Sequence, residues 1–264
     1  MRRILIELIA LVAIGGLIWA AFAIFINFPS EPKLISKEKE QQLGEKYTEV
    51  ILNLNGFSKI ENSKADSIFE ETARKLRSVQ PAPAYSYTLI LADNSMVNAF
   101  ALPGGHIIIT KGLIEFCQNS EELIAVISHE IGHIEKQHVI TRLIKDIGFE
   151  ILTSGDAYVM GEVARTILSS GYNRKQEVEA DEFACELLMQ SNLEPRTLAS
   201  FFRRLKEEQG DYPFEQFEII ASHPNMNNRI KSILAFEVPA EFEPQQPWFT
   251  IDELKDLLTE KLND

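Results

Sequence analysis

Five residues near the middle of the chain, His129-Glu130-Ile131-Gly132-His133, limit its structure and chemistry more than any other stretch. On a helix, two histidines four positions apart project from nearly the same face, about one turn apart. Both imidazoles can therefore bind one metal ion, and Glu130 can reach a water on that metal without being a ligand. This H-E-x-x-H pattern predicts two zinc ligands and a general base. The alternative is an amphipathic helix whose histidines have this spacing by chance, so the interpretation needs a third ligand elsewhere.

A candidate third ligand lies in Glu177-Val178-Glu179-Ala180-Asp181, within a helix predicted over residues 173–190. Glu177 and Asp181 are one turn apart on one face, whereas Glu179 points elsewhere. Two histidines and one carboxylate, with an open position for water, form a known catalytic zinc site. Asp181 would then accept a hydrogen bond from the outer nitrogen of a ligand histidine. On spacing alone, a solvated acidic helix face remains the alternative.

The N-terminus predicts a membrane anchor. Residues 4–28 are largely apolar and carry a single charge, Glu7, and a helix of that length spans about 37 Å, against a hydrocarbon core of about 30 Å. Arg2 and Arg3 precede it, so the positive-inside rule keeps the short N-terminus in the cytoplasm and sends the rest of the chain across. We expect an uncleaved single-pass anchor with the following domain outside the cytoplasm, on the periplasmic side in a bacterium. The alternative is a signal peptide cleaved near residues 21–23.

The rest of the chain divides at its prolines. Residues 29–35 are predicted to be a short linker, residues 36–236 a folded metallopeptidase domain, and residues 237–264 a proline-containing segment ending in a short helix. Residues 141–168 are apolar but interrupted by glycines, which predicts a helix, a break and a second helix. A second transmembrane hairpin is the alternative there, and the charged residues in this region oppose it.

Most of the domain has helical periodicity, and strands are predicted only over residues 85–91, 98–102 and 107–110. Pro103-Gly104-Gly105 would join the last two as a tight turn. We therefore expect an α+β fold, mostly α-helical with a small antiparallel β-sheet. The helix that carries the H-E-x-x-H pattern is apolar on several sides and should lie inside the domain.

Charge and cysteine content exclude some partners and linkages. The net charge of −13 at pH 7 should repel nucleic acid and anionic lipid surfaces. Cys117 and Cys185 are too few for a disulfide framework. We expect two separate buried thiols, with a single disulfide as the alternative.

The sequence resembles the membrane-associated zinc metallopeptidases of the HtpX and BepA type, which are gluzincins related to the CaaX prenyl proteases. Four stretches carry the resemblance in the family's order: Asn98-Ala99-Phe100-Ala101-Leu102-Pro103-Gly104-Gly105, His129-Glu130-Ile131-Gly132-His133, Asn173-Arg174-Lys175-Gln176-Glu177-Val178-Glu179-Ala180-Asp181, and Ser222-His223-Pro224 followed by Arg229. It implies a zincin-type fold over about residues 36–236. Unlike the HtpX-like members, this chain has one predicted anchor in place of several transmembrane helices.

The resemblance also implies roles for single residues. His129, His133 and Glu177 would bind one Zn²⁺ per chain, Glu130 would be the catalytic base, and Asp181 would support the site. His223 and Arg229 match a segment near the metal, where they could stabilise the oxyanion; the alternative is that they only cap and brace the following helix. The strand containing Asn98, Ala99 and Phe100 would hold the substrate extended through main-chain hydrogen bonds.

The two remaining histidines are expected to have structural roles. His138 follows His129 by nine residues, about 180° around a continuous helix, and should face away from the metal. His106 follows a turn and enters a strand, where a structural role is expected.

The sequence therefore predicts a membrane-anchored zinc endopeptidase that hydrolyses unfolded or misassembled envelope polypeptides. One alternative is a tethered chaperone or assembly factor whose zinc is structural or occluded, and the presence of Glu130 argues against a purely structural zinc. A prenyl-protein protease is a second alternative, which the single predicted membrane helix opposes. Sequence does not define the oligomeric state.

Overall fold

Helices make up most of the part of the chain that the computed structural model describes, which comprises residues 35–169, 171–208, 219 and 222–260. The described helices and strands lie within one compact unit, Lys37–Asp264. The expected membrane anchor of residues 1–28 lies outside the described residues, as do residues 29–34 of the expected linker. Within the described ranges, no helix has both the length and the apolar composition needed to cross a membrane.

In chain order the described helices are α1 (Lys37–Leu52), α2 (Ser63–Ser78), α3 (Lys111–Phe116), α4 (Ser120–Glu135), α5 (His138–Ile147), α6 (Phe149–Leu152), α7 (Ala157–Ser169), α8 (Arg174–Gln190), α9 (Thr197–Glu208), α10 (Met226–Leu234) and α11 (Ile251–Glu260). The described strands are β1 (Thr88–Ala92), β2 (Ala99–Ala101) and β3 (His106–Thr110), and a short 3₁₀ turn, Pro103–Gly105, joins β2 to β3. This confirms a mostly helical α+β fold.

The described sheet is mixed, so the expectation of an antiparallel sheet is wrong for one of its two pairings. Its strand order is β1-β3-β2. β3 pairs antiparallel with β2 and parallel with β1, from Thr88↔His106 to Ala92↔Thr110. The chain reverses once between β1 and β2 and again at the 3₁₀ turn, and β3 then inserts between the two earlier strands. Two reversals leave β1 and β3 pointing the same way, and β2 becomes an edge of the sheet.

The turn between β2 and β3 requires glycine for both conformation and space. Gly104 and Gly105 have φ values of 71° and 95°, in the left-handed region that favours glycine. A Cβ atom on Gly105 would lie 2.1 Å from the carbonyl oxygen of Ser86. α1 packs against the same turn, where Gly44 would bring a Cβ atom to 2.0 Å from the carbonyl oxygen of Pro103.

α4 is the central helix of the domain. Asn119 caps its N-terminus by accepting a hydrogen bond from the backbone N–H of Glu122, and every residue from Leu123 to Ile134 is buried. It packs mainly against α8 and also against α9 and β2. A helix buried on all sides is apolar all round, and α4 departs from that pattern at the polar residues Ser128, His129, Glu130 and His133. The hydroxyl of Ser128 donates within the helix to the carbonyl oxygen of Ile124. The other three buried polar side chains need partners, which the site described below provides.

The glycine-rich region folds as the sequence predicts. α5 ends at Gly148 and α6 is followed by Gly155, which have φ values of 89° and 72°. The hydroxyl of Tyr47 in α1 donates to the carbonyl oxygen of Leu152 at 2.7 Å. This connection fixes the break between the helices to the first helix of the domain.

The C-terminal segment packs back onto the domain. Trp248 Nε1 donates to Thr72 Oγ1 in α2, and Ser120 Oγ donates to the carbonyl oxygen of Phe249. α11 follows and buries an apolar face against α2 and α3. Cys117 and Cys185 are both buried and unpaired, as expected.

Candidate metal centre

Four buried donor groups converge on one point inside the domain. The ligand atoms of His129, His133, Glu177 and His223 all lie within 4.8 Å of one another, and none of the four side chains is more than 4% exposed. The sequence predicts the first three as metal ligands and places His223 near them. The structure brings all four together, so His223 is also positioned as a donor.

The spacing of these donors fits a tetrahedral metal ion. His129 Nε2 lies 3.1 Å from His133 Nε2 and 3.2 Å from His223 Nδ1. Glu177 Oε1 lies 3.0 Å from His223 Nδ1 and 3.6 Å from His133 Nε2. Ligand atoms at 2.0–2.1 Å from a tetrahedral centre are about 3.3 Å apart. Two imidazole nitrogens and a carboxylate oxygen at these separations are therefore a plausible first coordination set.

Two packed helices and the residue His223, which lies shortly before a third helix, provide the donors. α4 carries both His129 and His133, and α8 carries Glu177 in its first turn. A capping box fixes that turn: the side chain of Asn173 accepts from the backbone of Gln176, whose own side chain accepts from the backbone of Asn173. His223 precedes α10, and its backbone N–H donates to the carbonyl oxygen of Ile219.

Asp181 and Arg229 support the donors from behind. Asp181 Oδ1 lies 3.0 Å from His129 Nδ1, the ring nitrogen that faces away from the other donors. Arg229 donates to both oxygens of Asp181, at 2.6 and 2.8 Å, and its Nη1 lies 2.5 Å from Glu177 Oε2. Asp181 therefore lies at the outer ring nitrogen of His129. The guanidinium of Arg229 thus contacts two carboxylates, those of Asp181 and Glu177.

The charge of the site favours a bound cation. Glu130, Glu177 and Asp181 are buried carboxylates, and Arg229 is the buried guanidinium that contacts two of them. Burial raises the pKa of Asp181, but Arg229 outweighs this effect and brings that pKa to about 2. Burial favours neutral His223, yet Glu177 beside it raises the pKa of this imidazole. A buried group with this excess of negative charge is stabilised by a divalent ion.

Glu130 has one oxygen held and one oxygen directed at the donors. Its Oε2 accepts a hydrogen bond of 2.9 Å from the backbone N–H of Ala101 in β2. Its Oε1 is buried without a hydrogen-bond partner among the described residues and lies 3.6 Å from His223 Nε2. A buried carboxylate oxygen without a partner is costly. Such an oxygen beside a metal site is suited to receive a proton from a reacting group.

The edge strand β2 passes directly beside Glu130. In this strand Asn98 and Leu102 bond to β3, through Asn98 O with Thr110 N and Leu102 N with His106 O. The backbone groups of Ala99 and Ala101 therefore point to the free edge. Ala99, Phe100 and Ala101 line a cavity of about 10 Å³ together with Glu130, Arg142, Ile167, Tyr172, Ser222 and His223. A cavity of this size has room for about one water molecule and is too small for a peptide.

His138 is a site residue that sequence reasoning missed. The expectation that it faces away from the metal is wrong, because its Nδ1 lies 3.1 Å from His133 Nδ1. The 180° estimate assumes a continuous helix, but α4 ends before Lys136, and Gln137 has a φ of 57°. Nothing in the sequence indicates a left-handed glutamine at this position. Glu179 does point away from the four donors, as expected, and it contacts His138 instead.

Tyr172 is a second residue without a sequence signal. Its ring stacks on the ring of His133, with centroids 3.6 Å apart and planes 15° apart. Arg142 lies over the same tyrosine, 4.1 Å from the ring centroid. His106, in contrast, is outside the cluster, and its Nδ1 lies 3.3 Å from the carbonyl oxygen of Pro103.

Comparison with known proteins places this site in a family. Residues 59–237 match the model described as Peptidase family M48. The mitochondrial metalloendopeptidase OMA1 of Arabidopsis thaliana is 29% identical over 161 residues, which are 59% of this chain and 33% of the relative. The β-barrel assembly-enhancing protease of Escherichia coli (strain K12) is 26% identical over 162 residues, 54% of this chain and 33% of the relative. Metalloprotease LoiP of the same strain is 30% identical over 160 residues, 56% of this chain and 61% of the relative.

The chain thus spans about a third of the length of the first two of these relatives and about three fifths of the third. The matched region contains the candidate donors His129, His133, Glu177 and His223. Because the family model covers more than half of the chain, the chain belongs to peptidase family M48.

Proposed function

We propose that this protein is a membrane-anchored zinc endopeptidase that hydrolyses unfolded or misassembled envelope polypeptides. The observation that carries the proposal is the position of Glu130 Oε1, a buried oxygen without a hydrogen-bond partner among the described residues. It lies 3.6 Å from His223, which belongs to the same cluster as the donors His129, His133 and Glu177. A structural site with four protein ligands has no use for such a carboxylate, whereas a hydrolytic site requires one.

In the proposed reaction, His129, His133 and Glu177 would hold one Zn²⁺ per chain. When bound, the ion would lower the pKa of a water towards about 7 and polarise the scissile carbonyl. Glu130 Oε1 takes the proton from the attacking water and passes it to the departing amine. The hydrogen bond from Ala101 N–H to Oε2 fixes the carboxylate so that Oε1 stays directed at the reaction.

His223 and Arg229 have different surroundings, which favour different roles. His223 Nε2 lies 3.6 Å from Glu130 Oε1, close enough to help stabilise an oxyanion once the ring no longer fills a donor position. The guanidinium of Arg229 contacts Asp181 and Glu177, so it contributes by holding these carboxylates.

The free edge of β2 is the proposed substrate-binding strand. Of the expected residues Asn98, Ala99 and Phe100, Ala99 has its backbone groups on the free edge and would align an extended polypeptide by main-chain pairing, which selects for unfolded chain more than for side chains. The neighbouring Ala101 N–H donates to Glu130, so a substrate paired along this edge would lie near the donors.

The location and substrate rest on the N-terminal sequence and on the relatives. Residues 4–28 are long and apolar enough to anchor the chain, and Arg2 and Arg3 would direct the domain out of the cytoplasm. Envelope substrates are suggested by the resemblance to a protease named for β-barrel assembly. Residues 36–236 would form the peptidase domain and residues 237–264 a C-terminal segment that packs onto it.

A second candidate function is a tethered chaperone or assembly factor with an occluded zinc. The position of His223 favours it, because this residue completes a set of four donors and the adjoining cavity of about 10 Å³ is too small for a peptide. Such a protein would retain zinc and bind unfolded polypeptides without hydrolysing them.

Degradation of an unfolded polypeptide by the purified full-length chain in detergent tests the proposal. Wild type should hydrolyse it, a chelator should stop the reaction, and zinc should restore it. Glu130→Gln should keep its zinc and lose turnover by about 100-fold or more, whereas Glu182→Gln, an exposed control on α8, should match wild type. Equal turnover by wild type and Glu130→Gln would contradict the proposal. Zinc retention with no turnover by either protein would favour the second candidate.

A further inference from the structure

Behind His133, on the side away from the other donors, a row of polar groups leads to the surface. His133 Nδ1 lies 3.1 Å from His138 Nδ1, and His138 Nε2 lies 3.1 Å from Glu179 Oε2. The other oxygen of Glu179 lies 3.4 Å from Lys175 Nζ. His138 is 5% exposed, whereas the side chain of Glu179 is 36% exposed. The row therefore begins at a candidate metal ligand and ends at solvent.

A backbone irregularity creates this arrangement. α4 ends at Glu135, and Gln137 adopts a left-handed conformation with φ 57° and ψ 24° before α5 begins at His138. The left-handed residue turns the chain so that the first residue of α5 faces back towards His133. A non-glycine residue in this region is uncommon, and persists where the surrounding structure holds it.

The acceptors and donors in this row determine where the protons lie. Ionised Glu179 can only accept, so His138 Nε2 carries a hydrogen. A neutral His138 ring that donates from Nε2 has its lone pair on Nδ1, and this gives the 3.1 Å contact with His133 Nδ1 one donor and one acceptor. His133 Nδ1 must therefore donate, and the lone pair of His133 lies on Nε2. That is the nitrogen placed 3.1 Å from His129 Nε2, among the other donors.

We propose that His138, held by Glu179, is a positioning residue that fixes the tautomer and ring orientation of the metal ligand His133. This inference rests on the metal site of the proposed function. It gives the two ligand histidines of α4 different supports: His129 donates directly to Asp181, whereas His133 reaches a carboxylate through a second imidazole. Groups that hydrogen-bond the outer nitrogen of a ligand histidine orient it and raise its basicity.

Tyr172 restricts the remaining freedom of the His133 ring. The tyrosine stacks flat on it, with ring planes 15° apart, so it constrains the plane of the imidazole. Stacking does not distinguish the two ring nitrogens. The contact with His138 does, because only a hydrogen bond selects which nitrogen carries the proton.

Four variants of the full-length chain in detergent test the proposal. His138→Leu removes both hydrogen bonds. His138→Gln can keep them, because the amide oxygen accepts from His133 and the amide nitrogen donates to Glu179. Glu179→Ala removes the terminal carboxylate. His106→Gln is the matched control, since His106 is another buried histidine outside the cluster; Glu182→Gln controls for loss of an acidic residue on α8.

The first measurement is the zinc dissociation constant, by competition with a chromophoric chelator. His138→Leu should bind zinc about 10-fold to 100-fold more weakly than wild type. Glu179→Ala should fall between them, and His138→Gln and both controls should bind as wild type does. A His138→Leu protein that folds and binds zinc as tightly as wild type would overturn the proposal. If that variant does not fold, unchanged affinity in Glu179→Ala would do the same.

The second measurement reads the tautomer directly in the zinc-free chain. Ring ¹H–¹⁵N correlation spectra should place the hydrogen of His133 on Nδ1 in wild type and in His138→Gln. In His138→Leu the hydrogen should move to Nε2 in a substantial fraction of molecules. An unchanged His133 spectrum would refute the positioning role even if affinity fell. Failure of wild type itself to bind zinc would instead refute the proposed function, so the two failures are distinguishable.

Discussion

Arg229 is a deeply buried cation that contacts the site through its carboxylates. It is 2% exposed, and its guanidinium bridges the two carboxylates of α8, Asp181 and Glu177. The guanidinium carbon Cζ of Arg229 also lies over the ring of Phe202, 4.2 Å from its centroid. A planar guanidinium can bond two oxygens of one carboxylate at once. Arg229 therefore fixes both Glu177, a candidate ligand, and Asp181, the partner of His129.

Replacing Arg229 should lower the free energy of unfolding, because its main contacts are with buried carboxylates. Arg229→Met leaves two buried carboxylates without their cation, and we expect the free energy of unfolding of the zinc-free chain to fall by about 3–5 kcal/mol. Arg229→Lys should lose less, because it keeps the charge but not the two-pronged geometry. Urea unfolding followed by circular dichroism would measure both changes. The control Arg165→Met removes an arginine that is 62% exposed and should change stability by less than about 1 kcal/mol. Equal losses in Arg229→Met and Arg165→Met would contradict this assignment.

The sequence was informative for residues whose spacing follows one continuous helix. His129 and His133 on α4, and Glu177 and Asp181 on α8, lie where a period of 3.6 residues puts them. His138 lies beyond a left-handed residue, so the same period gave the wrong face. His223 lies outside α4 and α8, so the helical spacing that predicts the other donors does not predict its position.

The packing of α4 against α8 depends on one small residue, Gly132. Gly132 lies between the two ligand histidines, and a Cβ atom there would be 3.0 Å from both Cα and the carbonyl oxygen of Ala180. These are backbone atoms of the helix that carries Glu177. They can give way only if α8 moves as a whole, which would displace one ligand from the other two.

Two glycine replacements should therefore have opposite effects. Alanine gains about 1 kcal/mol over glycine within a helix, but overpacking costs about 1–3 kcal/mol. Gly132→Ala should lower the free energy of unfolding by about 1 kcal/mol and weaken zinc binding. Gly161→Ala, in α7 where the nearest neighbour is the flexible end of Arg165 at 3.9 Å, should raise it by up to about 1 kcal/mol and leave zinc binding unchanged. Thermal unfolding and chelator competition would measure both; tighter zinc binding in Gly132→Ala would be inconsistent with a rigid α8.

The sequence predicts where the strands lie but not how they pair. The sequence indicates all three described strands to within a few residues, because alternating β-formers are a local signal. It does not indicate that β3 inserts between β1 and β2. The consequence is functional, since this order makes β2 the edge beside Glu130. A simple meander would have placed β2 in the middle of the sheet, with both edges of its backbone already paired.

At the scale of the whole molecule, the chain beyond the family match closes the fold. The matched region ends at residue 237. The segment that follows is joined to the domain by three hydrogen bonds, which involve the side chains of Thr72 and Ser120 and the carbonyl oxygen of Cys117. It thereby links the second helix to the start of α4. The site at the other end of α4 is thus part of a single packed structure, and its charge balance should affect the stability of the entire domain.

Removal of the metal should therefore lower the thermal stability of the whole domain. The buried carboxylates of Glu130, Glu177 and Asp181 outnumber the guanidinium of Arg229, so the metal-free site holds uncompensated charge. A ligand that binds only the folded state adds about 4 kcal/mol at a thousand-fold excess over its dissociation constant. For a domain of this size, that corresponds to a rise in the melting temperature on the order of 10 °C.

Scanning calorimetry of the full-length chain with zinc, with chelator, and with zinc restored would measure this shift. Glu177→Ala removes a ligand and should melt at the same temperature in all three conditions, whereas Glu182→Gln should respond as wild type does. A wild-type melting temperature that does not change on chelation would mean that the buried carboxylates are not balanced by a metal. The extra charge would then have to be neutralised by protons, and His223, whose pKa Glu177 raises against the effect of burial, is the residue at which one proton would be held.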